Sequence, residues 1–202
     1  MPTNNSWNSP IPVPISLGGT DATSFTQSNG IVTYNGTSLV NYAGPQISSG
    51  GVQNNSSQPA FFASKTSNTT NATGDGTIYT VIFDTIVKNQ GSGYNNSTGI
   101  FTAPVTGIYV FTTSLLLENI AVASNIAVLA FAGSVYNSRF LTLGISPAIY
   151  NSFGGSGSFI VPMTSGDTMS VTAALFGGTK TTTVFGDAAG DTLTNFGGFL
   201  LC

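Results

Sequence analysis

The side chains in this sequence that could do chemistry are mostly carboxylates. Glycoside cleavage needs two of them, one to donate a proton and one to act as base or nucleophile. A carbohydrate-active enzyme is therefore one hypothesis, and it requires that two of these groups meet in one cleft. The candidates are Asp84, Glu118, Asp167, Asp187 and Asp191.

Other catalytic and binding chemistries lack the residues that they need. The sequence has no histidine, which excludes a Ser-His-Asp or Cys-His arrangement. Its one cysteine, Cys202, cannot form an internal disulfide, so it is either a free thiol or an intermolecular bridge. The net charge is −3, and the few basic residues argue against a nucleic-acid partner. These basic residues are Lys65, Lys88, Arg139 and Lys180.

The composition indicates an all-β protein with an almost uncharged surface. Charged residues make up 5% of the chain, against about a quarter in ordinary domains. The 14 Phe and 7 Tyr argue against disorder. A membrane helix needs about 20 apolar residues, but the longest apolar-leaning run, 120–133, is interrupted by Ser124 and Asn125. We therefore expect no membrane insertion. We also expect a surface covered by hydroxyls and amides, as is frequent in fibres and coats.

The N-terminal residues predict no secretory signal peptide. Residues 1–7 contain neither a basic region nor an apolar core. Together with the low charge, this favours a virion or extracellular surface that the protein reaches without a signal peptide. Release with a virus particle is the simplest route.

Strand candidates with turn signals between them recur through residues 59–202, which we take as one domain. In the candidate 107–118, Ile108 and Val110 share one face and Tyr109 and Phe111 share the other. Both faces are apolar, which suits a central strand covered by a second sheet on one side and by another subunit on the other. Many short strands predict a sandwich, a barrel or a jelly roll. The candidates are Ala60–Lys65, Thr77–Val87, Gly99–Phe101, Gly107–Glu118, Asn125–Val135, Arg139–Leu143, Ser156–Val161, Thr168–Phe176, Thr181–Phe185 and Asn195–Leu201.

Residues 1–58 form a separate region, which we interpret as an extended attachment or assembly arm. Alternating prolines keep its first part extended and out of any sheet interior. Asn35-Gly36 predicts a hairpin between residues 30–34 and 38–42. Few residues could build a private core, so we expect order only against other structural proteins or a trimer partner; a flexible linker is the alternative. The arm residues singled out are Trp7, Pro10, Pro12, Pro14 and Phe25.

Two sets of spaced residues carry a resemblance to a known family. The first set is Phe83, Asn89, Gly93, Tyr94, Thr98, Gly99, Phe101, Ala103, Pro104, Gly107, Tyr109 and Phe111. The second is Ser165-Gly166-Asp167-Thr168 with the closing Phe196-Gly-Gly-Phe199 run. Together they resemble the signature of complement component 1q globular heads, which belong with the tumour necrosis factor-like jelly rolls. The resemblance implies a ten-strand antiparallel jelly-roll sandwich over residues 59–202.

The resemblance also implies a non-enzymatic homotrimer that binds other macromolecules through its outer faces and apical loops. Core or trimer-axis positions are then Phe83, Phe101, Tyr109, Phe111, Phe196 and Phe199. Turn positions are Gly93, Tyr94, Gly99, Pro104, Gly107, Gly166 and Asp167. Some members bind calcium, for which Asp187 and Asp191 are the candidate ligands here, although calcium takes six to eight oxygens and a solvated loop is the other interpretation. No other cofactor is predicted.

The resulting hypothesis is a trimeric fibre head, or another capsid or tail surface module, of a virion. Low-charge segments of the arm, 18–25 and 31–40, resemble those of bacteriophage tail fibres and giant-virus surface proteins. The chain lacks a collagen-like Gly-x-y stalk, which argues against an animal complement or hormone role. Expected partners are other copies of the chain, structural proteins that contact residues 1–58, and a host receptor or glycan. The alternative is a bacterial surface or spore-coat adhesin or filament subunit with the same trimeric head.

Overall fold

The elements of this protein are described here from a computed structural model. It describes residues 30–34, 39–47, 50–144, 151–189 and 192–201. The chain divides into two units, Met1–Ser57 and Gln58–Cys202, each of which is treated separately. Every paired strand in the described ranges is antiparallel to its neighbours. None of the described residues belongs to a helix long and apolar enough to cross a membrane.

The first unit contains a three-stranded sheet in the order β1-β2-β3. Its strands are β1 (Gly30–Tyr34), β2 (Leu39–Ile47) and β3 (Gln53–Asn54). Tyr34 pairs with Leu39, so the predicted hairpin is present, and β2 continues to Ile47 instead of ending at residue 42. The arm residues singled out above, Trp7, Pro10, Pro12, Pro14 and Phe25, lie outside the described residues.

The second unit is a sandwich of two sheets, which confirms the all-β jelly roll. The first sheet contains β4 (Ala60–Ser64), β5 (Thr69–Thr73), β7 (Thr85–Gln90), β10 (Gly107–Glu118), β13 (Phe153–Met163), β15 (Thr182–Val184) and β16 (Asn195–Leu200). The second sheet contains β6 (Tyr79–Thr80), β8 (Tyr94–Asn95), β9 (Ile100–Thr102), β11 (Ile126–Gly133), β12 (Asn137–Gly144) and β14 (Thr168–Phe176). The first sheet has the strand order β5-β15-β10-β16-β4-β7, and β13 also pairs with β10. The second runs β12-β11-β14-β9-β8, with β6 also beside β14.

The single predicted strand 77–87 is wrong, because the chain changes sheets within it. β6 pairs with β14 in the second sheet, whereas β7 pairs with β4 in the first. Between them, the Val81 amide donates to the Val171 carbonyl at 2.8 Å, and the chain then crosses the edge of the sandwich. Val81 and Phe83 in the crossing are also buried, so apolar residues continue through it and the sequence resembles one long strand.

The structure places both Gly155 and Gly157 inside β13, although the predicted strand Ser156–Val161 contains only Gly157. β13 begins at Phe153 and pairs with β10 along its whole length. A Cβ on Gly155 would lie 2.8 Å from Leu129 Cδ1, and one on Gly157 would overlap the ring of Phe140. The contact at Gly157 includes the Cβ of Phe140, so glycine is favoured there because the two sheets approach closely, not because the chain turns.

The centre of the sandwich is filled by aromatic rings, and β10 supplies one side of it. Tyr109, Phe111 and alternate residues after them are buried, whereas Ile108 and Thr112 are exposed, so the predicted alternation is confirmed. The ring of Phe61 lies 4.9 Å from that of Phe196. The buried rings are Phe61, Phe83, Tyr94, Phe101, Tyr109, Phe111, Phe131 and Phe196.

Candidate functional site

The carboxylate of Asp84 is used to hold the turn after β4. It accepts hydrogen bonds from the Thr66 amide at 2.8 Å and the Ser67 amide at 3.1 Å. Partial burial alone would raise the pKa of Asp84, but these bonds and the charge of Lys65 outweigh it and hold the pKa below its usual range. Lys65 is buried and donates to the Ile82 carbonyl at 3.3 Å. Asp84 therefore acts as a structural acceptor and a counter-charge.

Two more of the predicted carboxylates also bind nearby backbone. Asp167 accepts from the Thr164 amide at 2.8 Å, and Asp187 accepts from the Ala189 amide at 2.7 Å. Asp191 lies outside the described residues, so calcium binding by Asp187 and Asp191 stays a prediction.

The remaining carboxylate, Glu118, ends β10 opposite Thr183. Within the described ranges, no three His, Cys, Asp or Glu side chains come together in a group that could hold a metal ion. In the same ranges, no hydrogen bond joins two of the predicted carboxylates. The carboxylate pair required by the glycosidase hypothesis is not assembled by Asp84, Asp167 and Asp187, each of which is committed to its own turn.

The two signature segments lie against each other, although they are far apart in sequence. The Ala103 amide donates to the Asp167 carbonyl at 2.8 Å, and the Gly166 amide donates back to the Ala103 carbonyl at 2.9 Å. The Ser165 hydroxyl donates to the Pro104 carbonyl at 3.0 Å. These bonds join the β9–β10 loop to the β13–β14 turn, which fixes one end of the sandwich.

Asn89 and Tyr94 close the loop between β7 and β8. The Asn89 side chain donates to the Tyr94 carbonyl at 2.8 Å and accepts from the Tyr94 amide at 3.1 Å. The Tyr94 hydroxyl donates to the Phe83 carbonyl and accepts from the Phe83 amide, both at 3.1 Å. Burial raises the pKa of Tyr94, which therefore stays a neutral donor. Gly93 fits beneath this loop because a Cβ there would lie 2.5 Å from the Phe101 ring.

The predicted turn glycines do different things. Gly99 has φ +74° and Gly166 has φ +95°, and both are in the left-handed region that favours glycine. Gly107 instead begins β10 as an ordinary strand residue opposite Met163. A Cβ on Gly99 would also overlap the Val81 carbonyl oxygen, whereas one on Gly166 would meet nothing within 4 Å.

We expect Gly99→Ala to lower the free energy of unfolding by about 2–4 kcal/mol, since both backbone strain and overlap act there. Gly166→Ala is the matched control and should cost about 1 kcal/mol, from strain alone. Urea denaturation followed by circular dichroism measures both. Equal losses in the two variants would contradict the close approach of Gly99 to Val81.

The outer face of the first sheet has an apolar end on its central strands. Val110 lies opposite Ile160 on one side and opposite Phe199 on the other. Ile160 is 63% exposed and Phe199 is 43% exposed. We call this surface the apolar face, and it consists of Ile108, Val110, Ile160, Pro162, Phe199 and Leu201. Contiguous exposed apolar side chains of this kind mark sites of association.

The other end of the same outer face is lined by hydroxyls. Thr112 lies opposite Ser158, and Ser114 lies opposite Ser156 on one side and Asn195 on the other. Apart from Glu118 at the end of β10, no charged residue occurs in β10, β13 or β16. This face can therefore be covered by another protein surface without desolvating a charge.

The sequence match to a known family extends over nearly the whole second unit. Residues 60–201 match the family model of the C1q domain. The chain belongs to the C1q domain family. Domains of this family serve in recognition.

Solved structures similar to this C1q domain protein share a low sequence identity with it. The globular domain of zebrafish complement 1qA protein is 20% identical, with 71% of this chain and 98% of that chain covered and a TM-score of 0.48. Murine APRIL is 15% identical, with 71% and 99% covered and a TM-score of 0.47. PRD1 vertex protein P5 is 13% identical, with 72% and 96% covered and a TM-score of 0.44.

The predicted core or trimer-axis residues fall into two groups by their position in the C1q domain. Phe83, Phe101, Tyr109, Phe111 and Phe196 are buried between the sheets, whereas Phe199 lies on the apolar face. Sequence reasoning missed Ile160, Pro162 and Leu201 as members of that face. The run 158–163 could have indicated Ile160, because its apolar residues occupy both faces of a strand, as they do at the start of β10.

Proposed function

We propose that the protein is a non-enzymatic structural and binding module that assembles as a homotrimer through the apolar face. The observation that carries this proposal is the exposure of Ile160, Phe199 and Leu201 on and beside the central strands of a sheet. A central strand that is apolar on both sides is typical of a sheet covered on both faces. Packing against other copies of the chain removes this apolar surface from water.

We place the trimer on a virion, as a fibre head or as another surface module of the capsid or tail. A charged fraction of 5% and the hydroxyl-rich outer face support a particle in which subunits pack closely. Residues 1–58 would attach the head to other structural proteins of the particle, and the head would contact a host receptor or glycan. The likeness of segments 18–25 and 31–40 to phage tail-fibre sequences supports this arrangement.

The second candidate is a bacterial surface or spore-coat adhesin or filament subunit with the same trimeric head. The sheet of the first unit favours it, because β1 and β3 are the outer strands of the order β1-β2-β3. An outer strand offers backbone donors and acceptors to a strand of a neighbouring subunit. Antibody labelling of purified virus particles and of cell-wall or spore fractions separates the two: the virion proposal requires label on particles, and label confined to cell surfaces or spores favours the second candidate.

Trimerisation is tested by placing a charge on the apolar face. Ile160→Asp should convert the trimer to a folded monomer in sedimentation-velocity experiments, because each copy would bury a carboxylate without a partner. We expect the association constant to fall at least ~100-fold. Val122→Asp is the matched control, since Val122 is 74% exposed in the β10–β11 connection, and this variant should stay trimeric. A monomeric wild-type protein, or dissociation of both variants alike, would overturn the proposal.

A further inference from the structure

The outer face of the second sheet contains a trough of about 360 Å³. Its floor is made of short side chains, with Ala130 opposite Thr172 and Val128 opposite Ala174 on neighbouring strands. The side chains that form its walls are longer. Arg139 lies on β12 opposite Ala130, and Ile78 precedes β6 on the far side. β12 and β6 are three strand spacings apart, about 14 Å. The trough is therefore wide enough for one sugar ring lying along the strands.

One wall of the trough offers an unused positive charge. The Arg139 side chain is exposed and makes no hydrogen bond or ion pair with the part of the chain that the structure describes. Its guanidinium is one of only four basic side chains in a chain of net charge −3, and no carboxylate lines the trough. A planar guanidinium binds a carboxylate through two parallel hydrogen bonds. The positive charge of Arg139 therefore favours a ligand that carries a carboxylate group.

The rest of the lining divides into apolar and polar parts. Ile78, 70% exposed, and Phe176, 38% exposed, flank the alanine floor and can pack against a methyl group or the C–H face of a ring. Asn137 accepts a hydrogen bond from the Gly133 amide at 3.1 Å, which leaves its side-chain NH₂ group as a donor beside Arg139. An acid with an entirely apolar body would leave this amide without a partner.

We propose that the trough binds a carboxylated, N-acetylated sugar of a surface glycan. The Arg139 guanidinium pairs with the sugar carboxylate, the acetyl methyl group packs on Ala130 and Ala174, and Asn137 binds a hydroxyl or the acetyl oxygen. The volume lies within the range of small-ligand sites, at its lower end, as a single sugar residue requires. This inference rests on the proposed function, in which the head contacts a host receptor or glycan, but it is independent of trimerisation, because the trough and the apolar face lie on different sheets and a monomer would keep the trough.

The probe is the methyl glycoside of N-acetylneuraminic acid, observed by saturation-transfer difference NMR with the full chain. We expect transfer to the acetyl methyl group, and at least ~10-fold weaker binding by Arg139→Gln, since a hydrogen bond to a charged group is lost. Ala130→Leu should abolish binding by filling the floor. Lys180→Gln removes a different exposed cation and should bind as the wild type does.

Two further ligands decide between chemistries. The neutral methyl glycoside of N-acetylglucosamine should bind at least ~10-fold more weakly than the sugar acid, for want of the carboxylate. Hexanoate carries the charge without the polar body, and binding of hexanoate as tight as that of the sugar acid would overturn the assignment to a glycan. No transfer to the sugar acid, or equal binding by Arg139→Gln, would overturn the site itself. The Ile160→Asp variant should still bind the sugar acid, because a monomer keeps the trough. Its binding therefore tests the trough separately from trimerisation.

Discussion

Replacing Phe196 with alanine is expected to lower the free energy of unfolding by about 4 kcal/mol. The ring is fully buried and lies 4.9 Å from that of Phe61, 5.6 Å from Phe83 and 5.8 Å from Phe111. Truncation removes these contacts and leaves a cavity, for which Phe→Ala changes cost about 3–5 kcal/mol. The cavity cannot collapse, because β16 is held between β10 and β4 by hydrogen bonds on both sides.

The matched control is Phe199→Ala, three residues further along the same strand. The Phe199 side chain points out of the sheet and is 43% exposed, so its loss should cost less than about 1 kcal/mol in the monomer. Both substitutions are best made in the Ile160→Asp background, where subunit association does not add to the measured stability. Urea unfolding followed by circular dichroism gives the two free energies. Similar losses from both would contradict the assignment of opposite faces to Phe196 and Phe199.

Replacing Asp84 with alanine is expected to cost about 2–4 kcal/mol. The carboxylate accepts from the Thr66 amide and hydroxyl, at 2.8 and 2.9 Å, and from the Ser67 amide at 3.1 Å. Its removal leaves these donors to water or without a partner, and it takes the nearest opposite charge from buried Lys65. Burial lowers the pKa of Lys65, and the charge of Asp84 partly restores it, so the variant should lower that pKa further.

The pH dependence of stability follows from the lowered pKa of Asp84. A carboxyl whose pKa is lower in the folded protein than its ordinary 3.8 contributes its full stability above that value. The contribution is lost as the pH falls from 3.8 through the folded-state pKa. The wild type should therefore lose stability in this acid window, and Asp84→Ala should lose less. Urea midpoints measured through the window test this.

Asp75→Ala is the control for this acid window. Asp75 also has a lowered pKa, through hydrogen bonds with Thr77, but its carboxylate is fully exposed. This variant should keep most of the acid loss, since solvent screens exposed groups. An acid loss that disappears in Asp75→Ala and persists in Asp84→Ala would refute the role given to Asp84.

The elements that could be predicted from the sequence are those with a repeating pattern. The alternation of β10 gave both of its faces correctly, and the signature residues gave the jelly roll. β5, Thr-Thr-Asn-Ala-Thr, shows no apolar alternation, and it is a strand because Thr73 and Thr69 pair with Thr182 and Val184 of β15. When a strand forms because of backbone pairing with its neighbour, its own side chains show no pattern from which it could be predicted.

The two candidate binding surfaces were predictable to different extents. Ile108 and Val110 indicated the apolar face, but Ile160 joins them only through the register of β13 on β10. The trough was not predictable from the sequence, because Ala130 and Ala174 look like ordinary strand residues. They become the floor of a depression only because the longer side chains of Arg139 and Ile78 flank them. Both surfaces depend on pairings between distant parts of the chain, which residue types and local spacing do not specify.

The place of β16 in the first sheet has a consequence for biosynthesis. β16 lies between β4, the earliest strand of the domain, and β10 from its middle, with Gly198 opposite both Phe61 and Phe111. A nascent chain that has not reached Asn195 cannot join these strands, so its aromatic side chains remain accessible to chaperones and proteases. Folding of the head therefore requires its final strand, and we expect a chain that ends before Asn195 to stay unfolded.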